Sequence, residues 1–409
     1  MKNTLNERKK SIRQFMIAAT IFVVPFVLYY FTRTINAQDT SVFAFSYKYG
    51  FISRGLLGTI WQWLDGILPF TVMNFWGIYR LSQLVTIIYY FSLLLFYYIA
   101  QKYTPENDMR RVRYLIVLLS VFAYPMFLTW ENFGRLDEYL MIITILSMVL
   151  IIIEKAEWLI IPMCIVAMLL HQGFVFLEGN IILVLLFYKW MMSKEHKKKY
   201  GCIFILTALS VSVLFIYFEF FGHVKDVGVY EEVVALAKSL SQDGMSFSES
   251  LLNHEILGQD VSELEWAFHG MNKWELPLNL LFYWPYVAIG VYFFGKMLKF
   301  GDSIEEKLAY LAVVFGAITV LPEVILKVDL GRYFFSVLFY YIGILICLIA
   351  MGDKRVAVHL ENLQLWIKEK IPVPMLLIAY PIVLMPFLDI HPNQMLWDIV
   401  QYIWNIIYP

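Results

Sequence analysis

Gly134-Arg135-Leu136-Asp137-Glu138 runs directly into Tyr139-Leu140-Met141-Ile142-Ile143-Thr144-Ile145-Leu146-Ser147-Met148-Val149-Leu150-Ile151-Ile152-Ile153. The second part carries no charge, proline or glycine. Such a run reads as a helix inside hydrocarbon, where only intra-helical hydrogen bonds can satisfy the backbone. The first part sets one cation and two carboxylates at the rim of that helix. Apolar runs of comparable length recur along the whole chain.

Composition agrees. Of the 409 residues, 60 % are apolar, 18 % aromatic and 16 % charged, against roughly 45–50 % apolar and 25 % charged in a soluble domain. The period-two alternation of barrel strands is absent. The prediction is an all-α polytopic membrane protein, one membrane-embedded domain over 1–409, with about eleven transmembrane helices (ten to twelve). The spans are expected near 15–31, 80–101, 114–130, 139–153, 158–172, 174–192, 202–221, 278–296, 308–326, 333–350 and 373–389. The fifth is the shortest reading, and His171-Gln172-Gly173 could instead tip a re-entrant hairpin. The segment from Lys2 to Phe31 resembles a signal peptide but has a long apolar core and no small-x-small site, so it reads as an uncleaved first span. Cys164, Cys202 and Cys347 all lie in apolar runs and read as small hydrophobes.

Lysine and arginine orient the chain. With the N-terminus in the cytoplasm, 22 of the 32 basic residues fall on the cytoplasmic side. The formal charge of −1 gives no reason to expect a nucleic-acid partner. Two long segments then lie outside, 32–79 and 222–277. In the first, Leu57, Ile60, Trp61, Leu64 and Ile67 share one face of an interfacial helix, with Gln62 and Asp65 elsewhere. In the second, Tyr230, Val233, Val234, Ala237 and Leu240 make another amphipathic face, and Ser246 with Glu249 forms a capping box.

On this topology the outer rim collects Asp39, Arg54, Glu131, Arg135, Asp137, Glu138, His171, Glu178, Glu323, Asp329 and Arg332. Arg54, Arg135 and Arg332 each have a glycine neighbour, which lets backbone approach a ligand closely. Outward arginines also run against the usual charge bias. Guanidinium matches phosphate bidentately, so three at one rim suit a lipid-linked pyrophosphate. The rival reading makes them locks between helix ends, each paired with an acid. Asp39 and Asp137 are the candidate carboxylates for acid–base work, although Asp39 also fits a turn or N-cap residue. His171 reads as a proton-transfer residue or a satisfied core histidine. Glu178 sits among apolar residues and is costly unpaired, so an arginine partner is expected. Glu138 and Asp329 support their neighbouring arginines. No zinc motif and no phosphate-binding glycine loop is present.

The layout resembles the membrane-embedded glycosyltransferases of the C superfamily. In those enzymes an acidic residue follows the first span, a long outer loop carries interfacial helices, and a second acidic site lies between the third and fourth spans. Asp39, the helix around 56–68, and Arg135-Leu136-Asp137-Glu138 stand at these places. The chain is also similar to bacterial O-antigen and capsule polymerases, which have ten or more spans, a sizeable later outer loop and outward arginines. Both resemblances imply a multi-pass protein of the bacterial cytoplasmic membrane acting on a polyprenyl-(pyro)phosphate-linked sugar outside the cytoplasm. Membrane lipid and the linked glycan are the implied partners, and other polysaccharide-assembly proteins stay open. No nucleotide is implied; some enzymes of this kind use a divalent cation. Two rival expectations are a transporter or flippase for a lipid-linked or amphipathic anion, and a non-catalytic membrane scaffold.

Overall fold

Each apolar run with described coordinates forms a helix, because a chain in hydrocarbon must pair its own amides. The computed structural model describes residues 2–30, 34–35, 37–122, 134–242, 252–258, 290–322 and 330–370. Among these residues all regular structure is helical. The main helices are α1 (Lys2–Tyr30), the short α2 (Ala37–Ser41), α3 (Gly55–Ile67), α4 (Phe75–Tyr103), α5 (Met109–Phe122) and α6 (Leu136–Ile153). They continue as α7 (Ile160–Leu170), α8 (Phe174–Leu177), α9 (Gly179–Met192), α10 (Lys197–Phe221) and α11 (Val227–Leu240). The last are α12 (Ile304–Phe315), α13 (Leu330–Ala350) and α14 (Lys354–Lys370). Three of them, α4, α6 and α10, are long and apolar enough to cross a membrane. The span expected at 373–389, most of that at 278–296, and the Ser246–Glu249 capping box lie outside the described residues.

The helices are apolar outside and partly polar inside. On α4 the exposed residues Leu84, Ile88, Phe91 and Leu95 follow one stripe, whereas Ser82, Thr86, Ser92 and Gln101 are buried. Helix α10 exposes Ile205, Leu209, Val213, Ile216 and Phe220 in the same way. Contiguous exposed apolar stripes of this length suit hydrocarbon rather than water.

Hydrogen bonds define two ends of the bundle. At the first, Arg8 of α1 donates to the carbonyls of Lys102 (2.9 Å) and Thr104 (2.7 Å), where a cation suits the end of α4. Arg113 of α5 donates to Gln101 and to Ser11. Lys189 pairs with Glu154, and Lys199 with Glu157 at 2.8 Å. Tyr188 and Tyr310 both donate to Asp353, at 2.6 and 2.8 Å. Arg355 pairs with Asp302 and Glu306, and Arg111 with Glu361. Helix α14 is thereby strapped across this basic end. It was not expected, because its mixed charged composition reads as a loop; in the structure Val356, Ala357, His359 and Leu360 give it a buried face.

At the second end α3 lies against the segment 42–45. Glycine makes this contact. A Cβ on Gly58 would sit inside van der Waals contact of the Phe43 and Phe45 carbonyl oxygens. Gly58→Ala therefore has to push α3 off backbone, which cannot rotate away as a side chain can. Overpacking of this kind costs about 1–3 kcal/mol, and thermal unfolding of the purified protein should show a clearly lower midpoint. Trp61 donates to the Val72 carbonyl (3.0 Å), Gln62 to Phe43, and Asp65 accepts from the amides of Val72 and Met73. So Gln62 and Asp65 bond to protein backbone, while Ile60, Trp63 and Ile67 are exposed. The expected single apolar face is split: Leu57 is buried and the outward residues are free for lipid.

The sixth expected span is broken. Residues 174–192 form α8 and α9, parted at Glu178. Asn180 bridges the break to the 3-10 turn Gly316–Val320, donating to Thr319 at 2.9 Å and to the Phe176 carbonyl at 3.3 Å.

Candidate functional site

Helix α2 carries Asp39 into the bundle between the start of α4 and the N-terminus of α6. Gly134 makes the approach possible: its φ is +87°, and a Cβ there would press on the Ser82 hydroxyl at 2.7 Å. Arg135 is the N-cap residue of α6. Its Nε lies 3.8 Å from Asp39 Oδ1, an ion-pair distance. The two side chains are 16 % and 10 % exposed, so solvent screens them only partly. Asp137 and Glu138 occupy the first turn of α6, where the helix dipole favours carboxylates. Thr86 donates to Glu138 Oε2 at 2.7 Å. Glu138 Oε1 has no hydrogen-bond partner among the described residues, and Asp137 and Asp39 lie within electrostatic range of it.

One guanidinium thus stands among three carboxylates. Arg135 is counterion to Asp39, as the paired-lock reading expected. Among the described residues no group of three or more His, Cys, Asp and Glu is arranged to hold a metal ion.

The second group gathers around Arg54. This residue takes the left-handed conformation, φ 58° and ψ 6°, immediately before α3. A non-glycine residue there is uncommon and costs about 1–2 kcal/mol. The turn leaves Arg54 at the positive end of the α3 dipole, a place that favours anions. Ser53 donates to Gln172 Oε1, and Gln172 Nε2 donates to Glu219 of α10 at 3.2 Å. The α7–α8 turn is therefore packed beside the Arg54 loop. His171 Nδ1 accepts from the Gly173 amide at 2.9 Å, which places the proton of a neutral ring on Nε2. Phe51 adds an aromatic cluster, with ring centroids 5.2 Å from Tyr47 and Tyr217 and 5.3 Å from Phe218.

Both groups lie at the same end of the bundle, joined by the buried residues Thr40 to Phe45. The chain matches no protein-family model, no curated protein and no solved structure. Glu178 is buried at the α8–α9 break. Arg332 lies in the first turn of α13, with its side chain outside the described residues, and Asp329 lies outside them altogether.

Sequence reasoning passed over Ser82, Thr86, Gln172 as a hydrogen-bonding residue, and Glu219. The first two carried a signal: small polar residues one turn apart in an apolar helix mark its inner face. Glu219, near the end of a lipid-length apolar helix, carried another.

A cavity of about 440 Å³ opens at the opposite, basic end, lined by Tyr188, Lys189, Tyr310, Asp353 and Arg355 among others. Many of its polar groups bond within the lining: Lys189 pairs with Glu154, Arg355 with Glu306, and Asp353 accepts from two tyrosines. We read it as a fastening between α9, α12 and α14 rather than as the reactive centre.

The two loops expected on the outer side meet. Lys48 and Tyr49 donate to Glu232 of α11 at 2.8 and 3.0 Å, and Val233, Ala237 and Leu240 are buried. Hydrogen bonds from Lys48 and then Tyr49 hold the Glu232 carboxyl below its usual range. Burial alone would lower the Lys48 ammonium, but the bonds to Glu232 and Tyr49 outweigh it and hold it above its usual value. A depressed carboxyl stabilises the fold above the unfolded pKa of about 4.3 and loses that contribution as pH falls through the folded value. Protection of the amides over 227–240, the slowing of exchange relative to the unfolded chain at the same pH, should therefore fall below about pH 4, and Glu232→Gln should remove that step. Equal acid sensitivity in the variant would assign it to another group.

Proposed function

We propose that this protein is a bacterial cytoplasmic-membrane enzyme that transfers or polymerises sugars linked to a polyprenyl (pyro)phosphate, at the extracytoplasmic face. In this reading the N-terminus is cytoplasmic, about eleven helices cross the bilayer, and the end holding Asp39 and Arg54 is the outer one. The observation that carries the proposal is the meeting of Asp39, from the loop after α1, with Arg135, Asp137 and Glu138 at the start of α6. The resemblance to C-superfamily glycosyltransferases set an acidic residue after the first span and a second acidic site between the third and fourth, and the contact between these two places supports the reading.

The chemistry divides between the two groups. Asp39, held by Arg135, takes the proton from the acceptor hydroxyl. The acceptor oxygen bonds to the anomeric carbon as the bond from that carbon to the phosphate oxygen breaks. Arg54 and the α3 N-terminus stabilise the departing lipid (pyro)phosphate. Arg332 is the further cation this reading assigns to that anion, and His171 the group placed to move a proton beside it. Arg135 is reassigned from phosphate binding to orienting the base.

The test is surface-glycan chain length in cells carrying Asp137→Asn, Arg332→Gln or Arg54→Gln. Shortened glycan with accumulating lipid-linked single repeats is expected and would mark a polymerase. Normal chains from folded, membrane-inserted variants would end the enzyme reading.

A further inference from the structure

Gln172 is held by both halves of its amide: Oε1 accepts from Ser53 and Nε2 donates to Glu219. Its orientation is fixed, and one of its N–H groups has no acceptor among the described residues, on a residue that is 7 % exposed. Glu219 is exposed. Among the described residues it accepts that single hydrogen bond, although a carboxylate can accept about four. It sits near the end of α10, with Ile216, Phe220 and Phe221 exposed around it. At the end of a lipid-length helix a carboxylate reaches the headgroup region, where a membrane-anchored ligand would meet it. Beside it Phe51 is 41 % exposed, with its ring braced by Tyr47, Tyr217 and Phe218. A braced, exposed aromatic ring next to a carboxylate and an amide is the chemistry that recognises a pyranose. The apolar C–H face of the sugar covers the ring, and neighbouring hydroxyls donate to the carboxylate and accept from the amide.

We propose that Phe51, Gln172 and Glu219 form a sugar-binding subsite that faces the lipid and holds the sugar ring of a lipid-linked substrate as it arrives from the bilayer. This deepens the transferase reading and rests on it. Arg54 follows Ser53 directly in the chain, so a sugar seated here has its phosphate within reach of the α3 N-terminus. The exposed apolar residues Ile216, Phe220 and Phe221 beside it suit a substrate anchored in the bilayer by its polyprenyl chain.

Methyl glycosides test this, because they carry neither lipid nor phosphate. Full-length protein in nanodiscs is examined by saturation-transfer NMR against methyl glycosides of hexoses, N-acetylhexosamines, deoxyhexoses and uronic acids. Saturation of sugar ring protons is expected for the wild type. Glu219→Gln, an exposed and nearly isosteric change, should weaken binding about tenfold, the loss of one charge-assisted hydrogen bond. Gln172→Ala and Phe51→Leu should weaken it too, with Ser239→Ala on α11 unchanged. No binding by the wild type, or equal binding by wild type and Glu219→Gln, overturns the subsite. Wild-type protein that binds through Glu219 but supports no glycan extension keeps the subsite and sinks the transferase reading. Extension without binding does the reverse.

Discussion

Arg135→Gln is expected to abolish glycan extension and to lower stability by several kcal/mol. The substitution removes the cation paired to Asp39 and leaves that carboxylate, Asp137 and Glu138 together at the head of α6. Two unit charges about 4 Å apart interact by about 4 kcal/mol at an effective dielectric of 20. Removing one partner of a buried pair costs about 3–5 kcal/mol, because the other is left buried and unmatched. A double-mutant cycle with Asp39→Asn separates folding from chemistry. The double variant should recover most of the lost stability, since neither charge is stranded, yet remain inactive, since the base is gone. Thermal unfolding of purified protein and glycan chain length read the two effects. A double variant no more stable than Arg135→Gln alone would mean that the pair does not hold the site together.

Arg54→Gly should behave in the opposite way. Glycine adopts the left-handed conformation at φ 58° without the penalty a side chain incurs, so stability should be unchanged or rise by about 1 kcal/mol. Activity should nevertheless fall by about a hundredfold or more, the usual consequence of deleting one preorganised donor to developing negative charge. Arg54→Lys keeps the charge but loses the planar fork, and should recover only part of the activity. An active Arg54→Gly protein would make the arginine incidental to a turn that merely tolerates it.

Helices were the legible part. A long run such as Tyr139 to Ile153 has one means of satisfying its amides in hydrocarbon, and the start of α6 follows from residues within a few positions of each other. The buried face of α11 was equally readable, since Val233, Ala237 and Leu240 recur at helical spacing and need no knowledge of what covers them. Two glycines also spoke locally: φ +87° at Gly134, beside Arg135, and the contact at Gly58 within α3 are properties glycine alone supplies cheaply.

Partners were not legible. Nothing near Arg135 in the chain says that it comes within ion-pair distance of Asp39, which belongs to a distant segment. The break at Glu178 depends on Thr319, the direction of Gln62 and Asp65 on the path of residues 72–73, and the Ser53–Gln172–Glu219 chain on three segments far apart in sequence. The sequence by itself determined that the long apolar segments are helical and which residues stand at the head of a helix such as α6, because those follow from short-range periodicity and from hydrocarbon as solvent; helix α14 and the break at Glu178 came only from packing. Only the tertiary structure decided which charges meet, because the packing of helices against one another selects a partner that no local pattern encodes.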